Sequence, residues 1–179
     1  MLTYFIKKEI LANLRASKNH RNFTDFSELS NVTIIYELSD YKQSIELKSI
    51  LCLANCSVSL VGYNGDKKRL IQGEEGYLFS SNELTFLGKP KEAIVAEFNR
   101  IITGSDLLID ITRGKFLPIN YLMSQKGDVL KVGLEVSDFK LYDFILEVPK
   151  NVDSKFLCQQ ILFYLRKLKS KRPRIVPQL

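Results

Sequence analysis

The sequence has too little histidine and cysteine for a recognisable metal site or disulfide framework. His20 is the only histidine, and it has no neighbours of the kind that bind metals. The three cysteines, Cys52, Cys56 and Cys158, are an odd number without the spacing of a disulfide scaffold. A zinc site at Cys52 and Cys56 would need at least one more soft ligand close by. We therefore predict buried free thiols, no metal and no cofactor.

The chain also lacks a long apolar run. A membrane-spanning helix needs about 20 predominantly apolar residues, and no window of the sequence comes close to this. At the start of the chain, an apolar patch is followed by Lys7 and Lys8, which is the reverse of a secretory signal. These features predict a cytoplasmic protein without a transmembrane segment.

Motifs for phosphate binding and catalysis are missing as well. The sequence contains neither G-x-x-x-x-G-K-[ST] nor G-x-G-x-x-G, and it has no G-x-S-x-G, H-E-x-x-H or C-x-x-C. An enzyme needs a nucleophile with a base, a carboxylate pair or a metal cluster, and none of these is evident. The sequence leaves catalysis uncertain and favours a protein without it.

What the chain does have is the composition of a soluble globular domain. Its 179 residues are 45% hydrophobic and 26% charged, enough for one domain with a core of its own. Strand-like segments alternate with helix-like ones, which predicts a three-layer Rossmann-like α/β sandwich with a mostly parallel sheet of five or six strands. An amphipathic helix at the N-terminus precedes it. The predicted parts are a basic amphipathic helix at 1–22, the α/β domain at 23–169, and a basic, flexible tail at 170–179.

Several local predictions follow from the residue patterns. Ser39 and Asp40 are a plausible N-cap pair for a helix running to Ala54, whose buried side would include Cys52. Pro90 suits the first turn of a helix at 91–102. In the last helix, which Asp153 and Ser154 can cap, the residues predicted to point inward are Phe156, Leu157, Ile161, Tyr164, Leu165 and Leu168.

The stretch from Asp106 to Arg113 is the centre of the predicted sheet. Its short apolar run between turn residues is typical of a strand buried on both faces. In doubly wound folds, ligands bind at the carboxyl ends of the central strands. A strand order of 3-2-1-4-5-6 would place the switch point between the first and fourth strands. The predicted ligand-binding residues at this mouth are Ser39, Asp40, Asp110, Thr112 and Arg113.

Two interpretations of the central trio, Asp110, Thr112 and Arg113, remain open. In the functional one, Arg113 and Thr112 hold an anion or sugar while Asp110 accepts a hydroxyl. In the structural one, Asp110 accepts hydrogen bonds from backbone amides of the next turn, or pairs with Arg113.

The positive charge is concentrated at the two ends of the chain. The net charge is +6, but residues 1–21 carry five basic side chains and one acid, and residues 166–179 carry six basic side chains and no acid. The middle is therefore mildly acidic. If the first and last helices lie side by side, their charges form one patch for nucleic acid or an anionic membrane. The predicted members are Lys7, Lys8, Arg15, Arg166, Lys167, Lys169, Lys171 and Arg172.

The N-terminal helix has a second set of interpretations. Apolar residues recur at Leu2, Ile6, Ile10 and Leu14 with the period of a helix, and basic residues lie on the other side. Such a helix can pack on its own domain, bind a partner protein or a second copy, or lie on an anionic membrane.

Two stretches carry a resemblance to a known family. They are Phe86-Leu-Gly-Lys-Pro90 with its helix, and Asp106-Leu-Leu-Ile-Asp-Ile111 with the later Phe116-Leu-Pro-Ile-Asn-Tyr-Leu122 and Leu130-Lys-Val-Gly133. Together with the basic first helix, they resemble an uncharacterised bacterial family of about this length. This resemblance covers nearly the whole chain and implies a cytosolic bacterial α/β protein without implying a reaction.

A more distant resemblance is to the N-terminal domain of heptosyltransferase-like glycosyltransferases. There, a D-L-x-I-D strand, a helix and a K-x-x-G strand recur in order, and here the matching positions are Asp106, Leu107, Ile109, Asp110, Lys131 and Gly133. Such enzymes need a second domain to bind the nucleotide sugar. The resemblance therefore implies the fold rather than the activity.

From the sequence, we expect a non-catalytic binding or scaffold domain. The alternatives are a nucleotide- or sugar-binding protein related to a glycosyltransferase half-domain, and a binder of anionic surfaces through the basic ends.

Overall fold

The computed structural model describes residues 2–16, 28–66, 74–135, 137–149 and 152–167. Within them lie five α-helices and six strands. The helices are α1 (Leu2–Ala16), α2 (Tyr41–Leu53), α3 (Glu92–Ile102), α4 (Leu117–Ser124) and α5 (Ser154–Lys167). The strands are β1 (Asn31–Glu37), β2 (Ser57–Asn64), β3 (Tyr77–Ser80), β4 (Leu107–Asp110), β5 (Leu130–Gly133) and β6 (Phe144–Ile145).

All six strands lie parallel in one sheet, in the order β3-β2-β1-β4-β5-β6. This confirms the predicted α/β class, and the order is the one that puts the switch point between β1 and β4. β4 is buried along its whole length, as its apolar run predicted. β6 is very short, and just before it the Asp143 side chain accepts a hydrogen bond from the Lys131 amide.

The sheet separates two hydrophobic layers. Alternate residues of β1 point to opposite sides, so that Val32 and Ile34 belong to one layer and Ile35 to the other. The first layer contains α2 and α5, and the second contains α1, α3 and α4. The helices therefore cover both faces, and α1 is part of the core beside α4 rather than an appendage.

The predicted start of α2 needs correction. Asp40 does occupy its N-cap position, but its side chain makes no capping hydrogen bond. Residues 38–40 form a short 3₁₀ turn instead, in which the Ser39 amide donates to Glu37 Oε2 over 2.8 Å. Cys52 is exposed rather than buried, since the inner side of α2 is formed by Ser44, Leu47 and Leu51.

Two other local predictions were wrong. Pro90 lies before the N-cap of α3, where it forms an antiparallel bridge with Leu84. On α5, Phe156 and Tyr164 are exposed, because only the side carrying Leu157, Ile161 and Leu165 faces the sheet. The predicted cap of α5 is present, as Asp153 Oδ1 accepts a hydrogen bond from the Phe156 amide over 2.8 Å.

Candidate functional site

The predicted mouth forms where β1 and β4 end side by side. Ile35 of β1 is in register with Asp110 of β4, so the residues that follow both strands emerge at the same edge of the sheet. The turn after β1 supplies Ser39 and Asp40, and the loop after β4 supplies Thr112 and Arg113. The five residues therefore follow the carboxyl ends of neighbouring strands, and their role in binding a ligand stays a prediction.

Asp110 is fully buried, and both of its carboxylate oxygens have partners within the chain. The Thr112 amide donates to Oδ1 over 2.8 Å, and the Tyr142 hydroxyl donates to Oδ2 over 2.5 Å. The first contact is the backbone bond foreseen by the structural interpretation of the trio. The second involves a residue that the sequence analysis did not select.

Two glycines make room for Tyr142 at this position. A Cβ atom on Gly133, at the end of β5, would lie 2.6 Å from the Tyr142 ring. A Cβ on Gly114 would lie 3.2 Å from the Tyr142 hydroxyl, and the positive φ of Gly114 (+66°) also favours glycine. The Tyr142 ring thus packs against the end of β5, beside the carboxyl end of β4.

Burial controls the protonation of this pair. It raises the pKa of the Asp110 carboxyl above its ordinary value, against the opposing effect of the hydrogen bonds from Thr112 and Tyr142. Burial and the neighbouring Asp110 also raise the pKa of the Tyr142 hydroxyl. Tyr142 therefore keeps its proton at neutral pH and donates it to Asp110 in a hydrogen bond.

Arg113 is turned away from Asp110. Its guanidinium donates to the carbonyl oxygens of Val148 and Pro149, over 2.9 Å and 3.1 Å, so it holds the connection between β6 and α5 in place. Its backbone has a φ of +61°, which is uncommon for a residue with a side chain. The Thr112 side chain is buried beside Asp110.

The outer rim of the mouth has mixed charge. Burial raises the pKa of Asp40, Glu37 raises it further, and Lys115 and Arg113 act in the opposite direction. Glu37 also accepts hydrogen bonds from the amide and hydroxyl of Ser39. A small polar ligand at this rim would meet acids, bases and a hydroxyl together.

Tyr142 is the residue that sequence reasoning missed. It lies 32 positions after Asp110 in the chain, in the connection between β5 and β6. A tyrosine there carries no motif, and only the register of β4 with β5 and β6 brings it to the carboxylate. The signal available in the sequence was Gly133, whose missing side chain allows the close approach.

The basic ends do not form one patch among the described residues. α1 packs on α4 and α5 packs on α2, on opposite faces of the sheet, so the condition of two adjacent helices is not met. Lys7, Lys8, Arg15, Arg166 and Lys167 are exposed, and Lys7 Nζ lies 3.3 Å from Asp138 Oδ2. The other predicted members, Lys169, Lys171 and Arg172, lie outside the described residues.

The part of the chain that the structure describes contains no group of three or more side chains suited to hold a metal ion. None of its helices combines the length and apolar character that crossing a membrane requires.

The fold and the strand-end site define this chain as a doubly wound α/β domain with an additional N-terminal helix. Residues 3–168 match a family of unknown function, DUF6913, and the chain belongs to that family. No curated protein and no solved structure matches it.

Proposed function

We propose that this protein is a non-catalytic binding or scaffold domain that docks an acidic partner protein on the outer face of α1. The outer face is defined as Tyr4, Lys8, Leu11 and Arg15, with Phe5 beside them. At the spacing of these residues, their side chains lie on one side of a helix. The setting in this proposal is the bacterial cytoplasm, which the resemblance to the uncharacterised family implies.

The opposite side of α1 is already docked. Ile6 and Ile10 are buried in the layer that contains α4, and the Asn13 amide donates to the Ser124 hydroxyl over 3.0 Å. The helix is therefore held in place without a partner, so its outer face is presented in a fixed position. A preorganised surface of this kind binds at a lower entropic cost than a free helix would.

The observation that carries the proposal is the apolar character of the outer face. Tyr4, Phe5 and Leu11 are 64%, 48% and 44% exposed, although they belong to a helix whose other side is in the core. Exposed large side chains that cluster within three turns of a helix are typical of surfaces that bind another protein.

Charge indicates the chemistry of the partner. Lys8 and Arg15 are exposed among the apolar residues, whereas the one acid of α1, Glu9, pairs with Lys89 over 2.7 Å. The outer face is thus apolar and positive. An acidic segment with apolar anchors complements it, while a second α1 would set basic residues against basic residues.

At the strand ends, the side chains that a reaction would use already have partners within the chain, which favours a protein without catalysis. The carboxylate and the guanidinium that a reaction would use there, on Asp110 and Arg113, are bound to the Tyr142 hydroxyl and to backbone carbonyls of the same chain.

The experiment compares two matched substitutions in affinity purification from native cells with quantitative mass spectrometry. Leu11→Asp places a charge on the outer face, and Leu53→Asp places the same charge on a strongly exposed leucine of α2. We expect an acidic protein to copurify with the wild type and with Leu53→Asp, and to be reduced at least about tenfold with Leu11→Asp.

Equal recovery of every copurifying protein by the two variants would contradict the proposal. Sedimentation of the purified protein with anionic phospholipid vesicles tests the membrane alternative. Binding to vesicles that Leu11→Asp abolishes would assign the outer face to a membrane instead.

A nucleotide or sugar site at the strand ends is the second candidate. It is favoured by the polar rim that Glu37, Ser39 and Asp40 form at the strand ends, and by the resemblance to glycosyltransferase domains. A thermal-shift screen of nucleotides, nucleotide sugars and phosphates tests it. A salt-tolerant rise in melting temperature with one ligand class, lost in Arg113→Ala, would support this candidate. Without such a rise, it is discarded.

A further inference from the structure

A second apolar surface lies on the other side of the sheet, on the outside of α5. Phe156, Phe163 and Tyr164 are each 40–50% exposed. Ile145 of β6 is exposed to a similar degree, and a groove of about 510 Å³ between β6 and α5 is lined by Ile145, Glu147, Tyr164 and Lys167. This surface is independent of the outer face of α1.

The outside of α5 is self-complementary. In an antiparallel pair of helices related by a two-fold axis, residues equally far before and after the axis lie opposite one another. If the axis passes at Gln160, Phe156 faces Tyr164 of the second copy, and Asp153 faces its Lys167. Moving the axis by half a residue sets Phe156 opposite Phe163 and Asp153 opposite Arg166, which preserves both kinds of contact.

The residues that would form this contact also lie on the same side of α5, away from the sheet. Phe156, Gln160, Phe163 and Lys167 follow one another at intervals of three and four residues, so they share one side of α5. The sheet-facing side is formed by other residues, among them Leu157 and Ile161. Lys167 Nζ lies 4.0 Å from the centre of the Phe163 ring, so the charge and the aromatic surface are presented together.

We propose that two copies of this chain associate through α5, antiparallel across a two-fold axis at Gln160. The centre of the contact is aromatic, and at each end Asp153 of one copy meets Arg166 or Lys167 of the other. Ile145 and the groove beside β6 lie at the margin of this contact. A two-fold contact of this kind is unfavourable on α1, because its outer face carries positive charge and no acid that could pair with it across the axis.

Sedimentation velocity on the full chain tests the association. We expect a concentration-dependent dimer at about 100 µM, and an increase in Kd of at least about tenfold for Phe163→Asp, because a charge would then be buried at the centre of the contact. Phe86→Asp introduces the same charge on a strongly exposed phenylalanine far from α5 in the chain, and should leave the dimer unchanged. Circular dichroism verifies that both variants are folded.

Cysteine crosslinking tests the position of the axis. In a Cys52→Ser background, which removes the one exposed native thiol, Gln160→Cys should form an intermolecular disulfide under mild oxidation, since the axis brings the two thiols together. Glu92→Cys, exposed on α3 on the other face of the sheet, should not.

A chain that remains monomeric at about 1 mM overturns the proposal. So does a dimer that Phe163→Asp leaves intact and that Gln160→Cys fails to crosslink, because it would use a different surface.

Discussion

Tyr142 and the Thr112 amide allow a carboxylate to be buried at the end of β4. Each oxygen of Asp110 accepts one hydrogen bond, over 2.5 Å and 2.8 Å, and this compensates in part for the loss of water. The sequence predicted where Asp110 lies, because the apolar run before it indicates a buried strand. It could not predict Tyr142, since the contact depends on a register between strands that no local pattern contains.

Tyr142→Phe should destabilise the protein by about 1–3 kcal/mol, because it leaves one oxygen of a buried carboxyl without its donor. Urea unfolding followed by circular dichroism measures this change. Tyr4→Phe is the matched control: its hydroxyl lies on an exposed ring, and its removal should change the free energy of unfolding by less than about 0.5 kcal/mol. Equal effects of the two substitutions would contradict the described role of Tyr142.

Asp110 should also make stability depend on pH. Since burial raises its pKa in the folded state, the folded protein holds a proton that the unfolded chain releases. The stabilisation from this group is fully present below the unfolded pKa, ordinarily 3.8, and is lost as the pH rises through the folded pKa. Asp110→Asn does not titrate, so it serves as the reference.

We therefore expect the free energy of unfolding of the wild type, relative to Asp110→Asn, to fall as the pH rises above the unfolded pKa. Urea unfolding at pH intervals above that value measures the difference. A difference that stays constant, or that grows with pH, would show that the carboxyl does not have a raised pKa.

At the scale of elements, α1 has one side that is buried in the core and one side that is exposed. The sequence predicted a helix here, because its apolar residues recur with a clear helical period, and α1 covers Leu2–Ala16. It could not assign Tyr4, Phe5 and Leu11, as a helix with apolar residues on both sides does not reveal which of them reaches the core. The same ambiguity explains why Phe156 and Tyr164 were wrongly predicted to point inward on α5.

Substitutions at two adjacent residues of α1 distinguish its buried side from its exposed side. Ile10→Ala removes a fully buried side chain and should cost about 2–4 kcal/mol of stability, whereas Leu11→Ala on the outer face should cost less than about 0.5 kcal/mol. Urea unfolding of both variants provides the comparison. A large loss with Leu11→Ala would mean that the outer face belongs to the core of the domain.

For the whole molecule, alternation of strands and helices was enough to predict the α/β class, and the order β3-β2-β1-β4-β5-β6 brought Ser39 and Asp110 to one edge as expected. The sequence could not predict that α1 and α5 cover opposite faces of the sheet. Both are basic and amphipathic, but only the path of the chain decides which face of the sheet each helix covers. Their separation leaves one set of exposed apolar side chains on each side of the sheet.

The central claim is that binding takes place on the outer face of α1 rather than at the strand ends. Photo-crosslinking in native cells compares these places directly, with a photoreactive amino acid at Leu11 in one variant and at Ser39 in another. Both positions are exposed, so both probes can react with a bound molecule. The account predicts a discrete crosslinked protein from position 11 and none from position 39. A partner captured from position 39 and not from position 11 would contradict it.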